Sequence, residues 1–276
     1  MDTYVVIGNP VAHSKSPRIH ARFAELTSQA MTYGRLELPV GGFAAGVDAA
    51  RREGLRGANV TVPFKFDAFA YATHRSERAE QAQACNTLRF DADGVWCENT
   101  DGIGLVNDIQ RNAGVALRGA RVLVVGAGGA AAGVLGPLLA EGPRELLVIN
   151  RTADKAVALA ERHAAWAHRH ATVVRGGGLD AVEGPFDVVV NGTAASLAGA
   201  AIPVPVQALR TGTLAVDMMY GPAAQPFADW ARSHGAVPRD GLGMLVEQAV
   251  AAFSFWRGVE PPSAPVLAEL RAEMGA

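Results

Sequence analysis

The chain has 276 residues, 49% of them hydrophobic and 19% charged, and a formal net charge of -2. This length exceeds one typical domain, so we expect two. The charge leaves no basic excess for nucleic acid or an anionic membrane, which favours a small-molecule role. We find no export signal and no apolar run of about 18 residues. Cys85 and Cys97 have neither redox-motif nor zinc-site spacing, so we expect a cytoplasmic protein.

Strand and helix patterns alternate in the first part of the chain. They predict a strand over 3–8, a helix from Pro17, a strand over 33–38, a helix over 43–53 and a strand over 57–61. Strands separated by helices indicate a mostly parallel sheet. Residues 86–90 and 95–98, joined across 91–94, are typical of a hairpin that adds antiparallel pairing at the edge.

A second series of strands predicts a Rossmann-type, doubly wound α/β domain. Its strands are expected at 121–126, 146–150, 172–174, 186–190 and 213–217. Two helical patterns, 244–256 and 265–274, have no strand of their own and are expected to pack on the first domain. The predicted organisation is therefore a substrate domain formed by 1–101 with 241–276, and a dinucleotide-binding domain over 102–240.

A glycine-rich loop directly follows the first strand of the second series and precedes an Ala- and Leu-rich helix. This context fits a dinucleotide fingerprint, in which glycines allow a tight turn and the helix N-terminus faces the pyrophosphate. The alternative is a strand-to-helix turn without a ligand. The predicted cofactor-binding residues of this loop are Gly126, Ala127, Gly128, Gly129 and Ala130.

The end of the next strand indicates which dinucleotide is bound. NAD-binding proteins usually carry an acidic residue there for the ribose hydroxyls, whereas this chain has Asn150, Arg151 and Thr152, followed by Lys155. Two cations with neutral donors suit a 2'-phosphate. NADP is therefore the predicted cofactor. The alternative is that Arg151 and Lys155 are only solvent-exposed residues at the start of a helix.

Polar residues cluster at element ends in the first domain. Ser14 and Ser16 precede the helix at Pro17, where two hydroxyls and the helix dipole suit a carboxylate; alternatively, Ser16 only caps the helix. Asn59 and Thr61 share one face of a strand end, and the turn at Pro63 presents Lys65.

The hairpin adds further polar groups at its two ends. It opens at Asn86-Thr87 and closes at Glu98-Asn-Thr-Asp101. Element ends are where open α/β sheets bind ligands. These hydroxyl-binding groups predict a polar small-molecule site.

Three histidines, His163, His168 and His170, lack the i, i+4 spacing of a helical metal site. We interpret them as a solvated helix end and predict no metal.

Six motifs in order resemble the shikimate dehydrogenase family over nearly the whole chain: GNPVAHSKSP, NVTVPFK, NTDG, GAGGAA, NRT and DGLGMLVEQA. The resemblance implies a two-domain α/β fold and reversible NADPH-dependent reduction of 3-dehydroshikimate to shikimate. A quinate/shikimate dehydrogenase that uses NAD is the nearest alternative, and a non-catalytic ligand-sensing paralogue is another. We expect a monomer or a homodimer.

The resemblance also implies residue roles. Lys65 and Asp101 would be the catalytic pair, with the proton donor between them unassigned; the alternatives are a surface lysine and a helix cap. The shikimate carboxylate would be bound by Ser14 and Ser16, and its hydroxyls or neighbouring groups by Thr61, Asn86, Asp101 and Gln248, with Tyr220 beside them. Cofactor contacts are implied for Glu77, Met218 and Gly241.

The chain departs from the family pattern at Cys85, where a small aliphatic residue is more typical, and in the loop at 191–196. Neither change removes a ligand. Because the loop is expected near the nicotinamide ribose, cofactor affinity is the property it affects.

Overall fold

The computed structural model describes residues 1–193 and 202–275. The chain forms two compact units, one of Met1–Gly104 with Val246–Ala276 and the other of Leu105–Leu245. Each unit is built on its own six-stranded sheet.

The first unit contains a mixed sheet in the order β2-β1-β3-β5-β6-β4. Its elements, in chain order, are β1 (Asp2–Gly8), α1 (Ser16–Leu26), β2 (Met31–Glu37), α2 (Phe43–Arg52), β3 (Leu55–Val60), α3 (Lys65–Tyr71), β4 (His74–Arg75), α4 (Glu77–Ala82), β5 (Thr87–Asp91), β6 (Gly94–Glu98) and α5 (Asp101–Asn107). Strands β2, β1 and β3 are parallel to one another, β5 runs antiparallel to β3 and β6, and β4 is parallel to β6. The predicted mostly parallel sheet with an antiparallel hairpin is confirmed, but the expected position of the hairpin at the edge was wrong, because β6 and β4 continue the sheet beyond β5.

The second unit begins within α5, at Leu105, and α5 continues directly into a π-helical turn at Asp108–Asn112. Its elements are β7 (Arg121–Val125), α6 (Gly129–Ala140), β8 (Glu145–Ile149), α7 (Ala153–Arg162), α8 (Ala164–Arg169), β9 (Val173–Gly177), β10 (Val188–Asn191), β11 (Leu214–Asp217), α9 (Gln225–Ser233) and β12 (Val237–Arg239). All six strands are parallel, in the order β12-β11-β10-β7-β8-β9. Strands β8 and β9 are added on one side of β7, and β10, β11 and β12 on the other. This is the order of a Rossmann fold, so the predicted fold class is confirmed.

Two helices complete the chain, α10 (Leu242–Arg257) and α11 (Ser263–Glu273). Helix α11 packs on α1, where Arg18 and Arg22 bind Glu269. In α10, Phe253 packs edge-on against Phe23, and Trp256 donates its indole N–H to the Leu88 carbonyl. Helix α10 thus packs on the sheet of the first unit and α11 packs on its helix α1.

Alternating side chains of the second sheet fill two cores. Val122 and Val124 of β7 belong to the core on one face, whereas Leu123 and Val125 belong to the core on the other. A parallel sheet covered on both faces requires nearly continuous apolar strands, which is the sequence pattern observed.

The second unit brings α7 unusually close to β9. A Cβ atom at Gly176 would lie 2.2 Å from the Ala156 carbonyl oxygen, so only glycine fits there. We predict that Gly176→Ala lowers the free energy of unfolding by about 1–3 kcal/mol because α7 must move away from the sheet. Urea denaturation followed by circular dichroism measures the change.

Gly34→Ala is the matched control. Gly34 also lies in an edge strand, and the nearest atom to its added Cβ would be 3.8 Å away. This variant should stay within about 0.5 kcal/mol of the parent chain. Equal effects of the two substitutions would contradict the close-approach argument.

Candidate active site

Lys65 and Asp101 form a hydrogen-bonded ion pair. Each is the first residue of a helix, Lys65 of α3 and Asp101 of α5, and Lys65 Nζ lies 2.6 Å from Asp101 Oδ2. Their side chains are 22% and 12% exposed. The carboxylate also lies in the first turn of α5, where the helix dipole favours negative charge. The pair is therefore a preorganised charge site that solvent still reaches.

The second oxygen of the Asp101 carboxylate is also hydrogen-bonded. Asn86 Nδ2 donates to Asp101 Oδ1 over 2.7 Å, and Asn86 Oδ1 accepts from the Thr100 amide over 2.9 Å. The Asp101 amide in turn donates to Asn99 Oδ1. One buried asparagine at the start of the hairpin thus fixes the segment that carries Asp101.

Gln248 of α10 joins the same network. Its Oε1 accepts from Thr100 Oγ1 at 3.2 Å and from Asn86 Nδ2 at 3.4 Å. All three side chains are almost fully buried. The structure therefore brings Asn86, Asp101 and Gln248, residues far apart in sequence, into one cluster.

The buried carboxylate of Glu98 supports this cluster, and the sequence analysis did not predict its role. Glu98 accepts from Ser76 Oγ, from the Asn99 amide and, through both oxygens, from Arg78 at 3.1 and 2.6 Å. Nothing in the local sequence pattern links Arg78 to Glu98. The bidentate bond ties α4 to the strand end that precedes Asp101.

Asn59 lies at the end of β3, and protein partners use all four of its hydrogen-bonding positions. Its Oδ1 accepts from the Tyr33 hydroxyl at 2.7 Å and from His20 Nε2 at 3.1 Å, while its Nδ2 donates to the Asn86 carbonyl and to Thr87 Oγ1. An amide side chain offers two acceptor and two donor positions. Asn59 therefore supports the neighbouring polar residues.

His20 and Tyr33 were also missed from sequence. Their rings stack with centroids 4.3 Å apart, and Tyr33 hydrogen-bonds the Ser16 side chain. Since Asn59 Oδ1 only accepts, Nε2 of His20 carries the proton, and Nδ1 has no partner among the described residues. Burial lowers the pKa of His20 to about 3 and raises the pKa of Tyr33 above its ordinary value.

Two sequence motifs meet at the ends of β1 and β3. A Cβ at Gly8 would lie 2.6 Å from the Thr61 methyl group, and the Thr61 amide donates to the Ile7 carbonyl. In the loop after β1, Ser14 Oγ accepts from the Ser16 amide. The glycine of the first motif is thus required by the threonine of the second.

The glycine-rich loop of the second unit connects β7 to α6. Gly126 has a φ of +108°, a conformation that favours glycine, and its amide donates to the Ile149 carbonyl. Within residues 1–193 and 202–275, and apart from its chain neighbours, no atom lies within 4 Å of the position a Cβ would take at Gly128. Helix α6 begins at Gly129 with no side-chain cap. Exposed backbone N–H groups at an uncapped helix start fit a phosphate group.

The predicted 2'-phosphate residues follow the neighbouring strand, β8. Asn150 follows Ile149, the last residue of this strand, and donates from Nδ2 to the Thr152 carbonyl, which closes the loop. Arg151, Thr152 and Lys155 are exposed, and α7 begins at Ala153. Because β7 and β8 are parallel neighbours, these cations lie at the same sheet edge as the glycine-rich loop.

A hydrogen bond between Asn191 and Asp217 lies at the same end of the sheet, and the sequence analysis did not predict it. Asn191 of β10 is fully buried and donates to Asp217 Oδ2 of β11, while its Oδ1 accepts from Thr193. The Met218 amide donates to the Asn191 carbonyl. A Cβ at Gly241 would lie 2.3 Å from the Met218 carbonyl oxygen, so these two predicted cofactor residues are in contact.

Other predicted residues are placed as follows. Tyr220 follows β11 in the second unit, and burial raises its pKa. Glu77 is the exposed first residue of α4 in the first unit, after the N-cap Ser76. Of the predicted loop at 191–196, residues 194–196 lie outside the described residues.

The interpretation of the histidines as a solvated helix end was wrong for His163. This side chain is 1% exposed, and its Nδ1 lies 2.9 Å from the Leu159 carbonyl. It packs inside the turn between α7 and α8 because α8 folds back toward α6. Within residues 1–193 and 202–275, no group of histidine, cysteine and acidic residues is arranged to hold a metal ion.

The strand order and glycine-rich loop of the second unit define a dinucleotide-binding protein. The chain matches family models for the shikimate dehydrogenase substrate binding domain over residues 6–88, shikimate / quinate 5-dehydrogenase over 108–198, and the shikimate 5'-dehydrogenase C-terminal domain over 241–271.

Whole-chain relatives agree with the family models. A shikimate dehydrogenase (NADP(+)) from Acidovorax ebreus is 58% identical, covering 100% of this chain and 98% of the relative. The structure of an Ael1 enzyme from Pseudomonas putida superposes with a TM-score of 0.91 at 45% identity, covering 98% of each chain. Shikimate 5-dehydrogenase from Thermus thermophilus in complex with NADP(H) and shikimate gives a TM-score of 0.84 at 30% identity, covering 99% of each. The chain belongs to the shikimate dehydrogenase family.

Among the described helices, none has the length and apolar character needed to cross a membrane.

The buried His20 predicts a pH-dependent stability. Its pKa is about 3 in the fold and 6.5 ordinarily, so the unfolded chain binds the proton more readily. The stabilisation is fully present above pH 6.5 and is lost as the pH falls toward 3, by up to about 1.4 kcal/mol per pH unit. Between pH 7 and pH 4.5, urea denaturation should show a loss about 2–3 kcal/mol larger for the parent chain than for His20→Gln.

His13→Gln is the control, since His13 is an exposed histidine of the same unit. This variant should keep the pH dependence of the parent chain. Burial also lowers the pKa of His163, but that residue is common to all three proteins and cancels. If His20→Gln and the parent chain lose equal stability, His20 is not the titrating group.

Proposed function

We propose that this chain catalyses the reversible reduction of 3-dehydroshikimate to shikimate with NADPH. The observation that carries the proposal is the Lys65–Asp101 ion pair, held by Asn86 within a cluster that includes Gln248. The cluster combines one charged pair for a reacting oxygen with several groups suited to hydroxyls. It lies in the unit whose first part matches the substrate-binding domain of the family.

Ser14, in the loop before α1, and Ser16, the first residue of α1, are proposed to bind the substrate carboxylate. Hydroxyl donors at the N-terminal end of a helix bind an anion through hydrogen bonds and the helix dipole. Ser16 is buried beside Tyr33, and its hydroxyl would turn from Tyr33 to the carboxylate when substrate binds. Thr61, Asn86 and Gln248 are proposed to bind the substrate hydroxyls, with Tyr220 as a further substrate residue.

Asn59 is assigned a supporting role in this proposal. Because Tyr33, His20, Thr87 and the Asn86 carbonyl use its four hydrogen-bonding positions, it orients these neighbours without contacting substrate. The sequence motif placed Asn59 among the groups that bind substrate hydroxyls, and this proposal instead makes it a residue that supports them.

The second unit fits NADP. The amides of Gly128, Gly129 and Ala130 are proposed to bind the pyrophosphate, and Arg151 and Lys155 the 2'-phosphate, with Asn150 and Thr152 as neutral donors. Met218 and Gly241 are proposed to line the nicotinamide, and Glu77 to contribute to cofactor binding. Bound NADPH supplies the hydride.

Lys65 and Asp101 are proposed to handle the proton. A lysine ammonium has three donors, and the bond to Asp101 uses one, which leaves donors for the oxygen at C3 of the substrate. The ammonium stabilises negative charge that develops on this oxygen during reduction, and the pair supplies the proton. In the reverse direction the pair accepts the proton from the hydroxyl.

The remaining proposals follow from the family and the composition. We propose a cytoplasmic enzyme, compatible with two buried free cysteines, that acts as a monomer or a homodimer. An NAD-dependent quinate enzyme is disfavoured by the cations after β8, and a ligand-sensing paralogue by the intact Lys65–Asp101 pair.

Substrate and cofactor choice can be measured together in an assay of nicotinamide absorbance with shikimate or quinate and with NADP or NAD. We predict turnover of shikimate with NADP, and a catalytic efficiency with NADP roughly 10- to 100-fold above that with NAD, because charge-assisted bonds reach the 2'-phosphate. Comparable activity with quinate and NAD would overturn the proposal.

The cofactor preference should depend on Arg151. Arg151→Ala is expected to lower the NADP-to-NAD efficiency ratio about ten-fold. Arg169→Ala, an exposed cation on α8 of the same unit, should leave the ratio unchanged. A ratio near one that Arg151→Ala does not alter would rule out the 2'-phosphate site.

The Lys65–Asp101 pair is predicted to act as one unit. Lys65→Met and Asp101→Asn should each lower kcat by roughly 10²- to 10⁴-fold, and the double variant should be little worse than the poorer single variant. Removal of either partner leaves the other unable to perform the same step, so the losses cannot add.

Arg52→Met provides the control for loss of a cation. Arg52 is exposed on α2, and its replacement should preserve kcat. Additive losses in the double variant would show that Lys65 and Asp101 act independently.

A further inference from the structure

The second unit contains a buried ion pair that none of the proposed roles uses. Asp108, in the π-helical turn after α5, is fully buried. Arg239, the last residue of β12, donates to it from Nε over 2.6 Å and from its terminal nitrogen over 2.5 Å. Asn112 Nδ2 donates to the same carboxylate at 3.0 Å. The geometry is bidentate and therefore fixes the orientation of both groups.

Asp108 also contacts the start of α10. A Cβ at Gly243 would lie 1.7 Å from Asp108 Oδ1 and 2.4 Å from its Cγ, so the carboxylate occupies the space of a side chain at 243. This close approach accounts for the second glycine of the DGLGM motif. Asp108 thus holds the chain at two points, Arg239 and Gly243.

Gly241 lies midway between these two points. Its amide donates to the Met219 carbonyl at 2.8 Å, and its Cα packs against the Met218 backbone. Arg239 itself pairs with Val216 in the sheet. The segment from 239 to 243 is therefore fixed at both ends by Asp108 and in the middle by the residues after β11.

We propose that Asp108 and Arg239 are a positioning pair for the nicotinamide end of NADP. They act through Gly241 and Met218, so the inference rests on the cofactor assignment in the proposed function. A buried ion pair adds little net stability compared with apolar residues, and here the bidentate contact fixes the orientation of Arg239 relative to Asp108. The pair therefore orients the nicotinamide-lining residues.

The test compares two ligands that share the adenosine end. Adenosine 2',5'-bisphosphate carries the 2'-phosphate but lacks the nicotinamide, whereas NADPH carries both. Isothermal titration should show that Arg239→Met weakens NADPH binding about ten-fold. The nicotinamide absorbance assay should show a lower kcat, because small displacements at a reacting group have large effects. Binding of the bisphosphate should stay within two-fold of the parent chain (about 0.4 kcal/mol).

Two further variants address the same contact by different routes. Gly243→Ala displaces the Asp108 carboxylate and should reproduce the selective loss, and the double variant with Arg239→Met should be no worse than either alone. Arg239→Lys keeps a cation but loses the bidentate geometry, and should give an intermediate loss. It also provides the measurement if Arg239→Met does not fold.

Arg232→Met is the matched control, since Arg232 forms an exposed ion pair with Asp229 in α9 of the same unit. It should alter neither affinity. A parallel loss of both ligands in the Arg239 variants, or no loss of either, would overturn the positioning role. Failure of the proposed function would appear separately, as absent NADPH binding or shikimate oxidation in the unsubstituted chain.

Discussion

The first unit depends on one constraint, that a mostly buried carboxylate must have each oxygen hydrogen-bonded. Asp101 meets it with Lys65 on one oxygen and Asn86 on the other. Desolvating an unpaired carboxylate would cost several kcal/mol, so the partners must be in place when the chain folds. They come from α3 and from the loop that leads into β5. The sheet order β3-β5-β6 brings these elements together, and the site therefore depends on the sheet.

Much of the fold could be predicted because it depends on local periodicity. Apolar strands and amphipathic helices are visible within a few residues, and the hairpin at 87–98 has a turn signal between its strands. Strands β4 and β12 were missed because they have two and three residues. Such short strands form only because they pair with neighbouring strands, β4 with β6 and β12 with β11. Lys65 was expected after a turn, and its position as the first residue of a helix depends on packing of α3 that no local pattern shows.

The site was predictable in its residue types but only partly in its contacts. Motif order indicated Lys65 and Asp101, and the resemblance supplied Gln248. The supporting pairs could not be inferred, because Arg78 with Glu98 and Asn191 with Asp217 join residues more than 19 positions apart whose local patterns resemble ordinary surfaces or strand ends. His163 shows the converse error, since exposure was inferred from composition while the turn between two helices buries it.

The two units use the same part of a sheet in different chemical ways. In the second, β7 continues into the glycine-rich loop and the start of α6, which has no side-chain cap, and backbone amides at such a helix start suit phosphates. In the first, Thr61 and Asn86 lie at the strand ends, and Asn86 is held in one orientation by its bond to Asp101. A polyhydroxylated acid is distinguished from its relatives only by where its hydroxyls lie, so its site must be built from side chains. A cofactor shared by many enzymes requires no such discrimination at its phosphates. Under the proposed function, the glycine-rich and the Asn/Thr-rich motifs meet the different demands of the two ligands.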